Sequence, residues 1–232
     1  MKTLIIIPAY NEGRSIRQAA DRLAESCPSC DVLIVNDGSV DDTKARARES
    51  HARVLSLCHN LGVGGAVQTG FRYALKKGYD AAVQFDGDNQ HPAQSIPALL
   101  EILSHEKADI VIGSRFLSRE GFQAETLRRP AIRFLSGLLT VLTGACVTDA
   151  TSGFRAFGPR ALRLFATHYP TRYPEPEALL IASKNGLRIL EVPVAMRERA
   201  AGTSNFAGLT GLHYMFTVLM NLLFRKMKSK GE

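Results

Sequence analysis

The feature that most constrains the fold is a series of short, wholly apolar runs, each stopped by polar residues. Leu4-Ile5-Ile6-Ile7 ends at Pro8, Val32-Leu33-Ile34-Val35 at Asn36, Ala81 to Phe85 at Asp86, and Ile110-Val111-Ile112 at Gly113. A strand covered by helices on both faces reads as a continuous apolar run, without alternation. Between the runs, Ile16, Ala19, Ala20 and Leu23 recur at helical spacing. So do Ala66, Gly70 and Ala74 within Gly64 to Leu75, and Ile96, Leu99, Leu100 and Leu103. Arg53 to Leu57 reads as a further strand, and Ser39-Val40-Asp41-Asp42 as a capping-box-like helix start. Strand and helix alternate, which predicts an α/β fold with a mainly parallel sheet flanked by helices.

A chain of 232 residues, 45% hydrophobic, has enough material for one large core. With no internal repeat or low-complexity linker, it is read as one domain over 1–205 and an appendage over 206–232. The net charge of +7 suits an anionic partner. Nucleic acid is disfavoured, because aromatic residues are only 7% and Trp is absent, which leaves little for base stacking. The N-terminus lacks the basic, apolar and small-residue regions of a signal peptide, so the chain is expected to stay in the cytoplasm. Cys27, Cys30, Cys58 and Cys146 are then expected to be reduced thiols. Cys27-Pro28-Ser29-Cys30 has CxxC spacing but no second pair of ligands, and reads as a solvent-side turn.

In open parallel sheets, ligands bind beyond the carboxyl ends of the strands. Four polar clusters fall there. The first two are Pro8-Ala9-Tyr10-Asn11-Glu12 and Asn36-Asp37-Gly38-Ser39. Their carboxylates suit a base N–H or a ribose hydroxyl, although ordinary strand-to-helix turns read the same way. The third is Asp86-Gly87-Asp88-Asn89-Gln90-His91. Its hard oxygen donors suit Mg²⁺ or Mn²⁺ holding a diphosphate. A solvated acidic turn and a structural calcium loop are the other readings. His91 reads as a turn residue, not a base. The fourth begins at Arg115; Arg128, Arg129 and Arg133 open an apolar helical stretch, and Arg197 and Arg199 follow a strand expected over Val192 to Met196. Either a basic solvated face or an anion site fits these arginines. Arg133 shares a helix face with Gly137 and lies beside Ser136. Glu175 and Glu177 precede Ala178 to Ala182, as site carboxylates or as charges at a helix N-terminus. Gly62-Val63-Gly64-Gly65 follows the third strand instead of the first, so it is not a dinucleotide loop.

These motifs, in this order, resemble family-2 glycosyltransferases of GT-A fold. The resemblance rests on Ile7 to Glu12, Val35 to Ser39, Asn60-Leu61-Gly62 and Asp86-Gly87-Asp88. It continues through Gly113-Ser114-Arg115-Phe116, Thr148 to Arg155, Glu191-Val192-Pro193-Val194, and Arg199 with Gly202-Thr203-Ser204. The later motifs are similar to the branch containing dolichol-phosphate mannosyltransferases and bacterial polyprenyl-phosphate glycosyltransferases. The resemblance implies that Pro8, Tyr10, Glu12 and Asp37 hold the nucleoside of a UDP- or GDP-linked sugar. Asp86, Asp88 and Gln90 would hold Mg²⁺ or Mn²⁺, with Asp86 also facing the nucleotide-sugar. Arg115, Arg133, Ser136, Arg199 and Ser204 would meet the diphosphate or a polyprenyl phosphate acceptor. Asp88, Arg115 and Arg133 would carry catalysis. Gly87 and Asn89 stand where relatives often carry Ala and Leu, and neither is an implied ligand.

A phosphate monoester acceptor is largely dianionic at neutral pH, since its second pKa is about 6. It attacks without a base, and the protein's task is to manage repulsion between two anionic substrates. A hydroxyl acceptor on a glycan or lipid-linked saccharide would instead require a general base. A catalytically silent nucleotide-sugar-binding subunit is the reading from another class.

Phe206 to Phe224 contains no charged residue, yet it is two-faced. Thr210, His213, Thr217, Asn221, Arg225 and Lys228 share one face; Phe206, Leu209, Leu212, Phe216, Leu219, Met220 and Leu223 share the other. The pattern, ending in Arg225, Lys226, Lys228 and Lys230, predicts an amphipathic helix on the cytoplasmic membrane surface or in a partner's groove. A separate membrane protein, a second copy of the chain and the protein's own core are the other candidate contacts.

Overall fold

The computed structural model describes residues 1–87, 90–117 and 129–196 together with Thr217; for 129–132 it describes the backbone alone. Within these residues the order is β1 (Thr3–Ala9), α1 (Ile16–Ser26), β2 (Asp31–Asn36), α2 (Thr43–Arg48), β3 (Arg53–Ser56), α3 (Gly62–Lys76) and β4 (Ala81–Gln84). After a 3-10 turn over Ala93–Ser95 come α4 (Ile96–His105), β5 (Ile110–Ser114), α5 (Arg129–Thr143), β6 (Arg155–Phe157), α6 (Pro159–Thr167), α7 (Pro174–Lys184) and β7 (Ile189–Pro193).

The strands form one sheet in the order β3-β2-β1-β4-β6-β5-β7. All neighbours pair in parallel except β6, which is antiparallel to both β4 and β5. The chain winds from β1 outward to β3, then returns to place β4 on β1's other side. This reversal opens a crevice at the carboxyl ends of β1 and β4.

The apolar runs are explained by burial on both faces. Leu4 and Ile6 of β1 pack with Leu33 and Val35 of β2 against Ala66, Phe71 and Ala74 of α3. Ile5 and Ile7 pack with Val32 and Ile34 against Ile16, Ala20 and Leu23 of α1 and Ile96 and Leu99 of α4. Each such side chain, taken fully out of water, contributes roughly 1.5–3 kcal/mol.

The structure departs from the sequence reading at several places. β6 is a strand the apolar-run criterion passes over, because its three residues begin with a fully buried arginine, Arg155. The last strand lies at Ile189–Pro193 and not at Val192 to Met196, because its ladder with β5 runs from Ile110 and Ile189 to Ser114 and Pro193. The start of α2 is tied by Asp41, whose Oδ1 accepts the Thr43 N–H at 3.0 Å, and not by Ser39. Cys27 and Cys30 do bracket a turn, but Cys27 is buried, and burial pushes its thiol up to about 11. All four cysteines are free. Among the described residues, no helix is long and apolar enough to cross a membrane. The amphipathic segment predicted over 206–228 lies, Thr217 apart, outside the described residues.

Candidate active site

The first two strand-end clusters are joined by reciprocal hydrogen bonds. Asn11 adopts a positive φ of 55°. Its N–H donates to Ser39 Oγ at 3.0 Å, and its side-chain oxygen accepts the Val40 N–H at 3.0 Å. Thr43 Oγ1 receives the Glu12 N–H at 2.8 Å, and Glu12 Oε2 accepts from Ser15 Oγ at 2.9 Å. Asp41 binds the Gly13 N–H at 3.2 Å. Burial opposes ionisation of Asp41, but hydrogen bonds from Thr43 and Gly13 outweigh it and hold the carboxyl below its ordinary range.

Asp37 is buried, and its Oδ1 accepts the Leu61 N–H at 2.7 Å, which ties the Asn60-Leu61-Gly62 motif to the second cluster. The turn between them requires Gly38: φ is +68°, and a Cβ there would lie 2.7 Å from the backbone of His59. Pro8 is buried in the floor, Glu12 is half-buried and Tyr10 is exposed at the rim. These four residues therefore share one strand-end wall.

Asp86 follows β4 at the neighbouring strand end, with its side chain 39% exposed. His91 returns to it. The imidazole Nδ1 accepts the Asp86 N–H at 3.0 Å, and Nε2 lies 3.3 Å from Asp86 Oδ2. The ring stacks on Phe154, with centroids 5.0 Å apart, and meets Phe85 edge-on at 5.4 Å. On the other side is Gly153, where a Cβ would stand 3.1 Å from Asp86 Oδ2 and 3.2 Å from Gln84 Nε2. Gln90 is half-buried in the same loop, and Asp88 lies outside the described residues. Sequence reasoning undervalued His91; its signal was its position five residues after an acidic strand end.

Beneath Asp86 is a polar layer. Arg155 donates to the carbonyls of Ser152 at 2.7 Å, Glu175 at 2.8 Å and Ala150 at 3.0 Å. Glu175, in the first turn of α7, is half-buried. Burial pushes its carboxyl up, and Asp86 adds to this, against the opposing field of Arg155. The sequence left Glu175 open between a site carboxylate and a helix-terminal charge; the fold puts it within the field of Asp86.

Arg115, just past β5, makes a two-pronged pair with Asp149: Nε to Oδ2 and Nη2 to Oδ1, each 2.7 Å. Nη2 also donates to Thr151 Oγ1 at 2.8 Å. Burial opposes the charge on Arg115, but Asp149 and the field of Asp86 outweigh it and hold the guanidinium protonated above its ordinary range. Behind the pair, Glu191 of β7 accepts the N–H groups of Thr148 and Asp149 at 3.0 Å. Ser136 is buried: its hydroxyl donates to the Thr148 carbonyl at 3.0 Å and accepts the Ala150 N–H at 3.3 Å, so it braces this loop from α5. Arg133 is exposed on α5 one turn earlier. The fold thus gathers Pro8, Tyr10, Glu12, Asp37, Asp86 and Arg115 at the strand ends. The side chain of Arg129, and all of Arg128, Arg197, Arg199 and Ser204, lie outside the described residues.

The fold matches that of glucosyl-3-phosphoglycerate synthase from Mycobacterium tuberculosis, solved with Mn²⁺, uridine diphosphate and phosphoglyceric acid. The TM-score is 0.72 at 22% identity, over 97% of this chain and 78% of that one. At the sequence level the chain is 35% identical over 218 residues to an undecaprenyl-phosphate mannosyltransferase of Micrococcus luteus, covering 90% of this chain and 88% of the relative. It is 32% identical to a UDP-N-acetylglucosamine–dolichyl-phosphate N-acetylglucosaminyltransferase of Methanococcus voltae, over 96% and 95% of the two chains. A polyprenol monophosphomannose synthase of Mycolicibacterium smegmatis is 30% identical, over 94% and 85%. The model of glycosyl transferase family 2 matches residues 4–165, which hold the strand-end residues from Pro8 to Arg155 but not Glu175 or Glu191. By the family model and by its sequence relatives, the chain belongs to glycosyl transferase family 2.

Proposed function

We propose that this enzyme moves a sugar from a nucleotide-sugar to a polyprenyl phosphate, with inversion at the anomeric carbon, at a membrane surface. The observation that carries the reading is an arginine past the end of β5, Arg115, that a two-pronged pair with Asp149 has already oriented, within the field of Asp86. Two anionic substrates meeting at one carbon need fixed positive charge more than they need a base. The names of the relatives, which specify undecaprenyl, dolichyl or polyprenol carriers, support the same acceptor class.

In this reading Asp37 and Glu12 orient the nucleoside, while Arg115 and Arg133 offset the negative charge where the two phosphates approach. An acceptor phosphate oxygen forms a bond to the anomeric carbon as the bond to the diphosphate oxygen breaks, and the nucleoside diphosphate leaves. The donor set fits a hard divalent cation: Asp86 presents a partly exposed carboxylate, and Gln90 lies in the same loop. Among the described residues no three His, Cys, Asp or Glu converge as a metal site, so the set is completed in this reading by Asp88 and the diphosphate. Bound there, Mg²⁺ or Mn²⁺ would neutralise charge developing on the leaving diphosphate, with Asp86, Asp88 and Gln90 as its protein ligands. Residues 206–232 form the membrane-surface appendage to a catalytic domain over 1–205.

One observation favours a hydroxyl acceptor instead: Glu175 is a half-buried carboxyl, raised in pKa, within the field of Asp86. Incubation with labelled nucleotide-sugars and either undecaprenyl phosphate or undecaprenol separates the two. Lipid-extractable label with the phosphate alone supports the proposal; equal labelling of the free alcohol overturns it and makes Glu175 the candidate base.

A further inference from the structure

We infer that His91 is a positioning residue, whose imidazole holds both the backbone N–H and the carboxylate of Asp86. The inference rests on the metal reading above, since the oriented group is a proposed ligand, and it assigns to His91 a task that the family motifs do not.

Both ring nitrogens address one residue. Nδ1 accepts the backbone N–H of Asp86 at 3.0 Å, so it carries a lone pair and no proton. In the neutral ring the proton is then on Nε2, the atom 3.3 Å from Asp86 Oδ2. One imidazole thereby holds the main chain and the carboxylate of the same aspartate. The ring itself has little freedom: it is buried, stacked on Phe154 at 28° and set edge-on to Phe85 at 85°.

The carboxylate is confined from the opposite side as well. At Gly153 a Cβ would stand 3.1 Å from Asp86 Oδ2 and 3.3 Å from Oδ1, closer than ordinary van der Waals contact. Asp86 is therefore held between an imidazole and a bare backbone, with its side chain 39% exposed. Other side chains satisfy only part of this. Phenylalanine fills the aromatic slot but offers no acceptor to the Asp86 N–H. Glutamine offers an acceptor and a donor but leaves the slot between Phe85 and Phe154 unfilled. Groups that orient a metal ligand typically change metal affinity about 10–100-fold when removed.

The test uses the full chain. Mn²⁺ binding in the presence of uridine diphosphate is followed by electron paramagnetic resonance for the wild type, His91→Phe and Gly153→Ala, with thermal melts run in parallel. Both variants are expected to bind Mn²⁺ about 10-fold or more weakly while retaining a cooperative melt. Unchanged Mn²⁺ affinity in folded His91→Phe overturns the inference. If that variant fails to fold, Gly153→Ala decides, and unchanged affinity there overturns it equally. The ¹⁵N spectrum of histidine-labelled, metal-free protein supplies a readout independent of the metal. A bare Nδ1 and a protonated Nε2 on His91 support the clamp, and a protonated Nδ1 overturns it. A wild type that binds no Mn²⁺ yet shows this tautomer overturns the metal reading and leaves the clamp on Asp86 standing.

Discussion

Arg115 and Asp149 face one another in a two-pronged ion pair, 2.7 Å at each prong, with the carboxylate fully buried and the arginine side chain 20% exposed. The pair joins the loop after β5 to the loop before β6, across a separation of 34 residues. It makes Arg115 rigid before any substrate arrives, because a planar guanidinium gripped at Nε and Nη2 has only Nη1 left to turn toward a ligand.

Replacing Asp149 by Ala is expected to cost about 3 kcal/mol or more, since it strands a partly buried guanidinium without its counter-ion. The measurement is the urea unfolding midpoint at constant slope. Arg115→Lys keeps the charge but not the fork, and should lower turnover at least 10-fold while costing less stability than Asp149→Ala. Equal stability losses in the two variants would show that charge without the fork contributes nothing to holding this loop.

Arg133 is exposed on α5, so Arg133→Ala should unfold at the same urea concentration as the wild type within about 0.5 kcal/mol. Its expected effect is on the acceptor: a higher KM for polyprenyl phosphate, with uridine or guanosine diphosphate affinity unchanged. Wild-type kinetics toward the lipid phosphate would remove Arg133 from the acceptor site.

Removal of divalent cations should abolish transfer, and added Mn²⁺ or Mg²⁺ should restore it. Asp88→Asn is expected to lose most turnover in saturating metal while melting like the wild type. Full activity in excess chelator would end the metal reading, whatever the behaviour of the variant.

Glu175 gives a pH dependence with a definite sign. Its carboxyl is raised in the folded protein, first by burial and then by Asp86. The folded state therefore holds this proton to higher pH than the unfolded chain does. The stability it contributes is complete below the ordinary glutamate pKa and is lost as pH rises through the folded value. Glu175→Gln should accordingly melt increasingly above the wild type as pH rises through that window, and should match it most closely in acid. A gap that shrinks with rising pH would contradict the assignment.

The two-faced segment over 206–228 is expected to bind anionic vesicles more tightly than neutral ones, with partial release at high salt. Each basic residue near an anionic surface adds roughly 1 kcal/mol. Phe216→Asp with Leu219→Asp should abolish co-sedimentation with vesicles and leave uridine diphosphate binding intact. An insoluble double variant would place the segment in the protein's own core.

The sequence by itself determined the layered α/β architecture and where its site would be. Leu4 to Ile7 and Val32 to Val35 are buried on both faces, a property of consecutive residues that needs no knowledge of neighbours. The polar residues that stop each run fall at strand carboxyl ends, and a parallel sheet brings those ends to one edge. The tertiary structure decided what those residues do for one another. Insertion of β6 antiparallel between β4 and β5 carries Gly153 against Asp86 and Asp149 against Arg115. Glu191 then reaches Thr148 across 43 residues. No periodicity encodes such contacts, because they depend on strand order. A three-residue strand opened by a charged side chain leaves no local signature, and Arg155 is tolerated there only because three backbone carbonyls surround its guanidinium. His91 was legible as a loop residue beside an acidic cluster. Its hold on Asp86 depends on Phe85 and Phe154 meeting around the ring, and the fold alone brings those two side chains together.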